Sequence, residues 1–142
     1  MVTAGYDVDR ARELSNKVAV VGVGDTDYGK DFAEARAAEK RGEALAAEDA
    51  REYEYKLLIT AFKRALADCG LKKDDINGLA VSSSGTSTAF ERVGEMLGLT
   101  ISWGAETGNS DHLVQIATEA LVAGRCDTIA IEIGRASCRE RV

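Results

Sequence analysis

The stretch NSDHLVQIATEALVAGRCDTIAIE, Asn109 to Glu132, decides the fold. Leu113, Ile116, Ala117, Ala120, Leu121 and Gly124 line one side of its first part at helical spacing. Val114, Thr118 and Val122 spread apolar character past that stripe, leaving mainly Asp111, His112, Gln115 and Glu119 polar. The pattern predicts a largely buried helix over 110–124. Asn109 or Ser110 supplies its N-cap, and Asp111 puts a negative charge in the first turn. Thr128-Ile129-Ala130-Ile131-Glu132 then reads as a strand.

Working outward, the same alternation recurs. Residues 1–16 are polar and aperiodic and read as a flexible arm. Lys17 to Gly24 is a β-branched run closed by glycine, which predicts a buried strand. Ala33 to Ala50 is rich in Ala, Glu and Arg and predicts an exposed, partly frayed helical insert, with a break at Gly42. Tyr55, Leu58, Phe62, Ala65, Leu66 and Cys69 mark one face of a helix that Gly70 caps. Asp74 to Gly78 is a turn, Leu79 to Ser82 a strand, SSSGTST a loop, and Ala89 to Leu97 a helix closed by Gly98. Ile101 to Trp103 predicts a brief third strand. The order β-α-β-α-β-α-β gives an α/β class with a mainly parallel sheet.

The sequence has 142 residues, enough for one domain with a core. It carries a net charge of −6, which argues against recruitment by nucleic acid phosphates or an anionic membrane surface. No apolar run reaches the length of a membrane span, and the first residues lack the pattern of a secretory signal, so a cytoplasmic location is expected. Cys69, Cys126 and Cys138 show no CxxC spacing and read as free thiols. The single histidine, His112, argues against a histidine-based metal site, and no metal is expected.

The final ten residues, IGRASCRERV from Ile133 to Val142, follow the last strand abruptly. Reverse-translated with suitable codons they look like a common short-read sequencing adapter read through in one frame. The expectation is that native sequence ends at about Glu132 and that 133–142 is a non-native tail. Without that tail, Lys plus Arg falls from 18 to 15 and Asp plus Glu from 24 to 23, a net charge of −8.

Four segments carry a family resemblance: VAVVGVGDTDYG, AFKRALADCGLKKDDINGLAVS, FERVGEMLGLTISWG and ALVAGRCDTIAIEIG. In order and spacing, residues 17–132 resemble the N-terminal part of the thiolase superfamily. The branch they resemble most comprises the thiolase-like acetyl-CoA acetyltransferases and the lipid-transfer proteins related to sterol carrier protein X. The resemblance implies a partial thiolase N-terminal half-fold that packs against a similar C-terminal half. It also implies a CoA thioester as substrate with no covalently bound cofactor, and a homodimer. Members of this branch pair with a small zinc-ribbon/OB-fold protein.

In that family a cysteine just before the buried helix is the nucleophile, because the helix N-terminus favours a thiolate. Counting back without gaps from ALVAG, its position here falls on Thr107, with Gly108, Asn109 and Ser110 following as substrate-binding candidates. A threonine hydroxyl is far harder to ionise than a thiol. Cys69 and Cys126 sit elsewhere in the order and read as inert packing residues. The family's acid/base histidine and second cysteine belong to the C-terminal half, so this chain alone is expected to be inactive.

Two function classes follow. The resemblance implies that the parent is an acyltransferase or, given Thr107, a carbon–carbon lyase that needs a base and an oxyanion hole but no acyl-enzyme. Alternatively it is a non-catalytic acyl-CoA or lipid carrier, or a structural subunit of a thiolase-like complex. A nucleotide-binding reading of Gly22 and Gly24 fails because Asp27 stands where a third glycine is needed and would repel a pyrophosphate. His112 falls on the polar face of its helix and reads as an exposed first-turn residue.

Overall fold

The computed structural model describes residues 15–27, 29–30, 33, 47–82 and 89–133. Most of the expected arm, most of the charged insert, the SSSGTST loop beyond Ser82 and the tail beyond Ile133 lie outside them.

Helix α1 (Ala47–Cys69) is followed by a 3-10 turn (Lys73–Asp75) and strand β1 (Gly78–Ser82). Then come α2 (Phe90–Leu97), β2 (Trp103–Thr107), α3 (Ser110–Val122) and β3 (Ile129–Glu132). The molecule is mixed α/β, with the strands in the order β2-β1-β3 and every described pair parallel.

The central position of β1 follows from its composition. Gly-Leu-Ala-Val-Ser offers small or apolar side chains to both faces, and all five residues are buried. Strand alternation sends Leu79 and Val81 to one face. There they pack with Val93 of α2, and Leu58 of α1, Phe90, Met96, Leu97, Ile101 and Ala130 close over them. Helix α3 takes the opposite face and touches all three strands, with Leu113, Ala117 and Ala120 buried. Gly104, opposite Leu79 in the ladder, lies so close to Phe90 that a Cβ would strike the ring.

The amino ends of the strands are tied by one residue. The Asn77 side-chain oxygen accepts from the N–H groups of Asp127 (2.9 Å) and Thr128 (3.1 Å), and its amide donates to Asp127 (3.0 Å). The Asn77 carbonyl accepts from Ser102 N (2.8 Å) and Ser102 Oγ (2.9 Å). Each helix that feeds the sheet is stopped as its sequence suggests, with Gly70 at φ 72° and Gly98 at φ 64° in the left-handed region.

Three expectations are corrected. Lys17 to Gly24 is not a strand but an extended segment lying along α1. From 21 to 27 its residues alternate strictly, with Gly22, Gly24 and Thr26 turned inward and Val21, Val23 and Asp25 outward. Only the glycines fit there, since a Cβ on either would run into the carbonyls of Ala65 or Ala61. The valines are left 61–83% exposed at positions 20, 21 and 23. The Val23 N–H donates to the Asp68 carboxylate (2.9 Å) rather than to a neighbouring strand.

Among the described residues helix α3 is covered on one side only, and it ends at Val122, with Val114 and Val122 nearly half exposed. Its wide apolar arc exceeds what a three-stranded sheet can cover. Strand β2 starts at Trp103 and runs through Thr107 instead of ending at Trp103, because pairing with the well-buried β1 overrides the weak strand preference of Gly104-Ala105-Glu106.

Candidate functional site

Open parallel sheets bind ligands at the carboxyl ends of their strands, where loops lead into helix N-termini. Here that edge carries Ser82 at the end of β1, Thr107 at the end of β2 and Glu132 at the end of β3. Ser82 and Thr107 are paired across the ladder, so their side chains share one face, the one that α3 covers. Glu132 is opposite Val81, and the same alternation turns its side chain to the other face.

Thr107 therefore belongs to a regular strand rather than to a loop, and it is half-buried. Gly108 and Asn109 are exposed and form the turn from β2 into α3. Asn109 has extended backbone angles, and its side-chain oxygen accepts from the Asp111 N–H at 3.1 Å, the N-cap expected from the sequence. Thr107 Oγ1 accepts from the Asn109 N–H at a long 3.4 Å. Ser110 opens α3; its side chain lies outside the description. His112 is exposed, as its place on the polar face requires.

The geometry thus gathers Ser82, Thr107, Gly108 and Asn109 at one corner, beside the positive end of α3. That end offers N–H groups to a developing negative charge. The Asn109 cap already uses one of them, and the Asp111 carboxylate in the first turn opposes an anion nearby. Among the described contacts no base is hydrogen-bonded to the Thr107 hydroxyl, so nothing there activates it as a nucleophile.

Sequence reasoning overlooked two features. Ser82 is a fully buried polar residue in the central strand; its signal was a serine ending an apolar strand next to a run of further serines. In the sequence Glu132 reads as the last residue of a strand and the expected end of native sequence, with no sign of a buried carboxyl. One of its carboxylate oxygens is buried without a hydrogen-bond partner. Burial pushes its carboxyl above the usual carboxylate range, while the Ser82 N–H pulls the other way.

The two described cysteines stay apart from this corner. Cys126 is buried, and burial reinforced by the Asp127 charge raises its thiol pKa. Cys69 donates from Sγ to the Ala65 carbonyl at 3.1 Å within α1. Among the described residues no cluster of His, Cys, Asp or Glu could hold a metal ion, and no helix is long and apolar enough to cross a membrane.

No protein-family model matches the sequence, and no curated protein matches it. Among solved structures it is similar to the Ltp2–ChsH2(DUF35) aldolase, with 25% sequence identity and a TM-score of 0.49. The match covers 55% of this chain and 22% of that one.

Proposed function

We propose that the chain is the N-terminal part of a thiolase-like enzyme acting on acyl-CoA thioesters, as an acyltransferase or as a carbon–carbon lyase. The observation that carries this reading is the position of Thr107: the last residue of β2, paired with Ser82 of the central strand and joined by Gly108-Asn109 to the start of α3. The resemblance in the sequence assigns that position to the family's nucleophile.

A threonine without a base favours the lyase over the acyltransferase. In a retro-aldol cleavage of a β-hydroxyacyl-CoA, a base takes the hydroxyl proton and the Cα–Cβ bond breaks. The β-carbon leaves as a carbonyl, and the electron pair passes to the thioester enolate, which is then protonated to acyl-CoA. This chain's own residues would hold the thioester oxygen near the start of α3, where N–H groups stabilise the enolate oxygen. No acyl-enzyme forms, so no ionised side chain is needed at 107. The acid/base groups come from the C-terminal half. Dimerisation, a zinc-ribbon/OB-fold partner and a cytoplasmic location complete the proposal.

The unactivated hydroxyl of Thr107 also suits a second reading, a carrier that binds acyl-CoA without transforming it. The full-length protein incubated with a β-hydroxyacyl-CoA separates the two. The lyase reading expects acyl-CoA and a free aldehyde or ketone in equal amounts, with no acyl group retained on the protein. Tight binding without product would leave the carrier; neither binding nor product would end both.

A further inference from the structure

We draw no further inference here: the strongest candidate, the open groove of about 360 Å³ between α2 and the outer edge of β2, lined by Phe90, Gly94, Leu99, Ile101, Trp103 and Gly104, carries none because nothing in the structure shows what covers it.

Discussion

Asn77 does at one end of the sheet what no other described side chain does: it holds the start of β3 against the start of β1. Two backbone N–H groups, those of Asp127 and Thr128, depend on its oxygen. Asn77→Ala should therefore cost about 1 kcal/mol, the net worth of ordinary hydrogen bonds, since one donor is exposed and the other part-buried, and urea unfolding of the two proteins would show it as a lower midpoint at unchanged slope. Glu132 makes a prediction of opposite character at the other end. Its folded pKa lies above its unfolded one, so the native state holds the proton more tightly. Its contribution is most favourable below the unfolded carboxyl range and is lost as pH rises through the raised folded value. Urea midpoints measured across the acid-to-neutral range should show this component in the parent and lack it in Glu132→Gln. An identical pH profile for both would mean that the Glu132 carboxyl is not desolvated. Asn77 was legible only as part of a turn, because its ladder-tying role depends on residues some 50 positions away. The same distance in sequence hid Glu132, whose environment is made by Ser82.

At the scale of elements, local patterns set what could be read. The stripe in Leu113, Ala117 and Ala120 gave α3 its buried face, and the apolar Leu79-Ala80-Val81 gave β1 its central place. Because Leu113 is fully buried, Leu113→Ala should lower stability by about 2–5 kcal/mol through lost burial and the cavity left behind. Val114→Ala, on the exposed side of the same helix, should cost well under half as much. Equal effects at both positions would show that α3 is not seated as described. What failed was the segment from Lys17 to Gly24. Its valines have the composition of a strand, but composition cannot say which neighbour supplies the ladder. Gly22 and Gly24 turned out to matter more than the valines, since only they let the backbone lie against α1. Thr107 was placed by counting and proved to be a strand terminus, an assignment that depends on its pairing with Ser82 rather than on any local preference.

For the whole molecule, a three-stranded sheet with helices on both faces leaves Val20, Val21, Val23, Val114 and Val122 exposed among the described residues. The most direct test is to sequence the source locus through the codon for Glu132. The account predicts a reading frame that departs from IGRASCRERV and continues into a second α/β half carrying a histidine and a cysteine for acid/base work. A genomic frame that encodes those ten residues and stops after Val142 would contradict it.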